Sequence, residues 1–137
     1  MKKIRKVFAA MIVITLTAVL LAGCGDSNKL GENFDEEGVK KQAQEDITIG
    51  ESGDFDAWKE RFVTEVQGSL TQDIYDNYLK ILEEKGEFEE FGKCAVIGQE
   101  QDGKKYAVAV CIVKHKNGDV KHTLAYDENM KLVQYVI

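Results

Sequence analysis

A chain of 137 residues is long enough for one domain with a modest core and too short for two. Its formal charge of −6 conceals an asymmetry: Lys2, Lys3, Arg5 and Lys6 open the chain, and beyond residue 23 there remain 14 Lys/Arg against 24 Asp/Glu, formally −10. A surface that acidic repels nucleic acid and anionic lipid, so neither is expected as an electrostatic partner, and the lack of proline leaves the turns to Gly, Asn and Asp.

The basic start, KKIRK at 2–6, leads into an apolar run at 7–22 interrupted only by Thr15 and Thr17. The run is shorter than the roughly 20 residues a spanning helix needs, and no basic stop-transfer flank follows it. It reads as a secretory signal. Leu21-Ala22-Gly23-Cys24 resembles the lipobox of bacterial lipoproteins, cut between Gly23 and Cys24. The resemblance implies that the nucleophilic sulfur of Cys24 carries a diacylglycerol thioether. Cys24 then becomes the mature N-terminus, and the membrane is a partner through the lipid anchor on the extracytoplasmic face of a bacterial cell. Acyl chains hold firmly because each buried CH₂ contributes about 0.8 kcal/mol. An ordinary signal peptide or a single spanning helix is the alternative. The expected organisation is a signal peptide at 1–23, the lipidated cysteine and a polar, Gly-rich tether at 24–35, and one domain at 36–137.

Within the domain, Val39, Ala43 and Ile47 recur at helical spacing, so 36–47 reads as a helix, broken by GESGD at 50–54. Asp54 or Ser52 can cap a second helix, in which Phe55, Trp58, Phe62 and Val66 share a face until Gly68 ends it. Thr71 can cap a third, 72–85, with Leu70 and Tyr75 as a hydrophobic staple and Gly86 as the stop. From Lys93 the apolar period changes to two. Four strands are expected at 93–99, 104–115, 119–126 and 131–137, turning at Asp102-Gly103, Asn117-Gly118 and Glu128-Asn129. The class is α+β: N-terminal helices packed on a curved four-stranded antiparallel sheet.

Turn positions predict registers. Asp102-Gly103 sets Cys94 opposite Cys111, Asn117-Gly118 sets His122 opposite Val113, and Glu128-Asn129 sets His122 opposite Tyr135. One sheet face then carries Val96, Ala109, Cys111, Val113, Leu124, Val133 and Tyr135; the other carries Ile97, Val108, Val110, Ile112, Ala125, Leu132 and Val136. Both are apolar, so one should receive the helices and the other should be curled or covered. Cys94 and Cys111 fall on a non-hydrogen-bonded pair, where Cα atoms approach to about 4.5 Å, close enough for a disulfide. Two buried free thiols remain the alternative, and a three-residue loop in place of a two- or four-residue one would shift the register and separate the cysteines.

Several short pieces recur together in a known group: Gly53-Asp54-Phe55, Phe62, Leu70-Thr71, Gly86-Glu87-Phe88, and Asp127 followed by Lys131-Leu132 and Tyr135. In this order they resemble small bacterial extracytoplasmic domains of unknown function within the nuclear transport factor 2-like (cystatin-like) superfamily. The resemblance implies helices closing a cone-shaped, strongly curved sheet, and it brings no catalytic residue.

His122, Tyr126 and Tyr135 share a face and would serve as a proton-transfer set in an isomerase- or dehydratase-like pocket, but no acid on that face completes it. His115, at a strand end, is expected to be solvated, as are Glu83, Glu84, Glu87, Glu89 and Glu90. No zinc-type ligand set, calcium loop, phosphate loop or C-x-x-C motif is present, so no cofactor or metal is expected. The leading expectation is a non-enzymatic surface lipoprotein whose curved sheet binds a protein or a small apolar ligand, with Trp58, Tyr78 and Tyr135 lining the cavity. An enzyme centred on His122 and a structural homodimer are the alternatives.

Overall fold

The computed structural model describes residues 30–137; the readings at Gly23 and Cys24 lie outside the described residues. Among the described residues four helices precede four strands: α1 Glu36–Glu51, α2 Phe55–Glu60, α3 Thr64–Gln67, α4 Gln72–Lys85, then β1 Phe88–Gln101, β2 Lys104–His115, β3 Gly118–Tyr126 and β4 Leu132–Val136. The strands pair in sequence order as one antiparallel, curved and unclosed sheet, and the helices cover one face.

Local chemistry starts the helices. The side chains of Asp35, Asp54 and Thr71 each accept a backbone N–H three residues on, which satisfies one of the four orphan donors of each first turn. Gly53 follows α1 at φ 89° and Gly86 ends α4 at φ 85°, a backbone region that side chains disfavour. The domain also begins earlier than residue 36. Leu30 packs against the core and Phe34 is buried, so residues 30–35, expected in the tether, belong to the domain.

The helix expected to run from Phe55 to Gly68 is two short helices. The break at 61–63 is tertiary in origin. Leu132 N–H donates to the Arg61 carbonyl and Val63 N–H donates to the Leu132 carbonyl, so Phe62 lies parallel to the start of β4 as a bridge. A helical turn there would lose both bonds and would withdraw Phe62 from the core, where it is buried.

The first hairpin has the expected register, with Gln101 against Lys104 and Cys94 against Cys111. Asp102 and Gly103 both have positive φ, 53° and 77°, as a two-residue turn of the mirror-image type requires. β1 begins at Phe88 rather than Lys93, and two register shifts carry it to His115. The second turn is Lys116-Asn117, not Asn117-Gly118, so His122 faces Cys111 instead of Val113. The end of α4 captures this turn: Asn117 N–H donates to the Lys85 carbonyl and Lys116 N–H to the Glu87 carbonyl. In the third pair Tyr135 faces Leu124, not His122, and a shift at Tyr126 sets Leu132 on the core side in place of Val133. Each full-strand displacement preserves side-chain parity, so the expected face groupings hold apart from that exchange, and the helices cover the face of Ala109, Cys111, Val113, Leu124 and Tyr135.

A disulfide links Cys94 and Cys111 across the β1–β2 ladder. It sits just past the register shift between Phe91 and Cys94, where the strand resumes regular pairing.

Candidate functional site

The expected pocket residues separate into two buried groups. Trp58, Tyr78, Tyr135 and His122 come together between the helices and the sheet; Tyr126 stands apart from them, on Asp46.

In the first group α2 presents Trp58, α4 presents Tyr75 and Tyr78, and the sheet presents Tyr135 and His122. Trp58 contacts Tyr75 at 4.9 Å, Phe62 at 4.9 Å and Tyr78 at 5.6 Å between ring centroids, within the range of favourable aromatic pairs. The rings pack on one another here instead of standing around a space. Tyr78 Oη lies 2.9 Å from Tyr135 Oη, which lies 2.8 Å from His122 Nδ1. Both hydroxyl protons are satisfied if Tyr78 donates to Tyr135 and Tyr135 donates to Nδ1, which leaves the imidazole proton on Nε2. Nε2 has no partner and is fully buried. Burial, then the neighbouring charge of His115, pushes the His122 pKa down to about 4, so the ring is neutral at pH 7. Burial also raises the pKa of Tyr78 and of Tyr135. These groups can order a proton along a chain, but each is nearly or wholly buried, so none offers an atom to an outside substrate.

The depressed His122 pKa has a stability consequence. The unfolded ring titrates near 6.5. Below that pH the unfolded chain binds a proton that the folded chain refuses until about pH 4, so this contribution falls as pH falls through that window. The expected loss is about 3 kcal/mol by pH 4. Urea unfolding at several pH values, compared with His122→Gln, checks it: the variant should show a flatter dependence, and identical slopes would remove the effect.

Gly50 makes the close packing of these rings achievable. A Cβ there would lie 2.6 Å from Tyr78 Oη and 3.2 Å from Trp58 Cδ1. Gly50→Ala must displace the hydroxyl that bonds Tyr135, and the expected cost is about 2 kcal/mol. A chemical-denaturation midpoint unchanged by this substitution would contradict the packing.

The second group was not legible from the apolar pattern. Asp46 is 1% exposed. Its carboxylate accepts from Arg61 Nε and Nη2, from Tyr126 Oη at 2.6 Å and from Gln42 Nε2 at 3.2 Å. Arg61 also donates to the Met130 carbonyl at 2.7 Å, and Met130 adopts a left-handed backbone at φ 59°. Asp46 therefore ties α1 to the α2–α3 break, to β3 and to the last turn. The available signal was an acid beside Ile47 on an otherwise apolar helix stripe.

His115 is buried rather than solvated. Its Nδ1–H donates to the Gly86 carbonyl at 2.9 Å, and Nε2 lies 3.7 Å from Glu51. Burial raises the Glu51 pKa, opposed by His115. The acids Glu83, Glu84, Glu87, Glu89 and Glu90 are exposed. Among the described residues no group of three or more His, Cys, Asp or Glu is arranged to hold a metal, and no helix is long and apolar enough to cross a membrane.

A surface groove of about 540 Å³ opens at one end of the sheet. Lys104, Lys105 and Tyr106 line it from the β1–β2 hairpin, Asp127, Glu128 and Asn129 from the β3–β4 turn, and Val63 and Glu65 from the start of α3. Asp127 is fixed by its own turn, with Oδ1 accepting from the Asn129 and Lys131 amides.

Fold and sites together define a single α+β domain: helices on a disulfide-linked antiparallel sheet, with a polar-stitched core and a charged groove at one end. Residues 43–134 match the DUF3887 family, described as a protein of unknown function, and the chain belongs to it. It is also similar to a protein from Ruminococcus gnavus ATCC 29149 solved by NMR, at 52% identity and a TM-score of 0.74, over 80% of this chain and 96% of that one. No curated protein matches the chain. Most residues that carried the sequence resemblance have a structural task here. Gly53 and Gly86 take positive φ, Asp54 and Thr71 cap helices, and Phe62, Leu70, Leu132 and Tyr135 are buried.

Proposed function

We propose that this protein is an extracytoplasmic lipoprotein, anchored through Cys24, whose domain is a non-enzymatic binding module of the nuclear transport factor 2-like type. The observation that carries the anchor is the spacing of lipobox and fold: Leu30 already packs on the core, six residues after a cysteine in lipobox context. An oxidising exterior also suits the Cys94–Cys111 disulfide. Binding is favoured over catalysis because the best acid–base candidate, His122, is buried and bonded inside the core. The sheet face away from the helices supports a protein partner: half-buried Ile97, Val110, Ile112 and Val136 surround buried Val108 and Ala125.

Cys24→Ala is expected either to release the protein to the soluble fraction or to leave an uncleaved precursor, which intact mass distinguishes. A variant cleaved after residue 23 that still requires detergent for extraction would remove the anchor. Light scattering decides whether the partner is a second copy: a strict monomer excludes the homodimer.

A further inference from the structure

We propose that the charged groove at the end of the sheet binds a zwitterionic phospholipid headgroup, a phosphate carrying a nearby primary ammonium. The groove holds both signs of charge on separate elements: Lys104 and Lys105 on the first hairpin, Asp127 and Glu128 on the last turn, Glu65 on α3. Neither lysine side chain makes an ion pair with any of the three acids or a hydrogen bond, so charges of both signs stand free at the groove. The arrangement suits a ligand with charges of both signs: the ammonium groups of Lys104 and Lys105 meet the phosphate, and the carboxylates accept from the ligand's ammonium through charge-assisted hydrogen bonds. Tyr106, Val63 and Val133 supply an apolar lining.

Position identifies the source. Residues 31–33, the start of the described chain, lie beside this groove. A Cβ on Gly31 would lie 3.0 Å from Lys105 Cδ, and Asn33 Nδ2 is 3.4 Å from Glu128 Oε2. Cys24 is six residues before Leu30, a reach of about 20 Å at full extension. An acyl chain on Cys24 therefore holds this end of the domain at the bilayer surface; this step rests on the anchor proposed above. The formal −10 of the chain beyond residue 23 disfavours anionic lipids and leaves neutral zwitterionic ones as the class.

Glycerophosphoethanolamine titrated into the full mature chain, followed by amide NMR, should produce saturable shifts at Lys104, Lys105, Tyr106 and 127–129. Glycerophosphocholine, whose ammonium has no hydrogen to donate, should bind about tenfold more weakly. Lys104→Ala with Lys105→Ala, both exposed and partnerless, should abolish the shifts while leaving the rest of the spectrum unchanged. Absent saturation, or shifts that survive the double substitution, would overturn the site. The source is tested apart from the chemistry. The mature chain with Cys24→Ser should float with phosphatidylethanolamine-containing vesicles more than with pure phosphatidylcholine; equal flotation overturns the bilayer as the source. Intact mass of the cell-derived protein reports acylation separately. An unacylated chain that still binds the soluble headgroup would sink the anchor and the membrane placement but not the groove's ligand chemistry.

Discussion

Asp46→Ala is expected to destabilise the domain by about 3 kcal/mol, because removing one partner of a buried ion pair strands the other. Four donor contacts converge on the Asp46 carboxylate, from Arg61 twice, Tyr126 and Gln42. Without it Arg61, whose side chain is 20% exposed, retains only the Met130 carbonyl, and the buried Tyr126 hydroxyl has no acceptor. The partial exposure of Arg61 lets water recover some of its solvation, which keeps the expected loss toward the lower end of the range for buried pairs. Asp46→Asn keeps the shape and removes the charge, so its loss should be smaller yet clear. Urea midpoints of both variants decide the matter. A loss under about 1 kcal/mol for Asp46→Ala would show that the carboxylate is not holding the elements together.

Reduction of the Cys94–Cys111 disulfide is expected to cost a similar amount, about 3 kcal/mol. The bond closes a loop with a sequence separation of 17, and its main effect is to restrict the unfolded chain. The folded ladder contributes less, since Ala95–Val110 and the pairs beyond it up to the turn stay in register whether or not the sulfurs are joined. Cys94→Ala with Cys111→Ala should therefore unfold at lower urea while keeping its sheet, and should no longer respond to reductant. Equal midpoints for the oxidised and reduced wild-type chain would overturn the expectation. So would a double variant as stable as the oxidised chain.

These two effects differ in how far the sequence disclosed them. The cysteine pair was legible because a hairpin register depends on one turn, and Asp102-Gly103 favours the positive φ that a two-residue turn needs. Asp46 was not. Its partners Arg61 and Tyr126 lie 15 and 80 residues away, and no local pattern links a helix acid to them. The groove was equally hidden, since its charges come from three separate segments that only the folded chain brings together.

The sequence by itself determined the helix starts at Asp54 and Thr71, the first hairpin, the α+β order and which residues of most strands share a face. Each follows from contacts within a few residues or from side-chain parity, which survives a two-residue slip in pairing. The tertiary structure alone decided where the second turn lies, where the helix after Asp54 breaks and which side of β4 is buried. The turn moved to Lys116-Asn117 because its amides bond the carbonyls of Lys85 and Glu87. The helix broke at Phe62 because Leu132 bonds the Arg61 carbonyl and the Val63 amide. In each case a backbone group had a local option and a distant one, and the distant partner prevailed because it also buried an apolar side chain or closed a helix end.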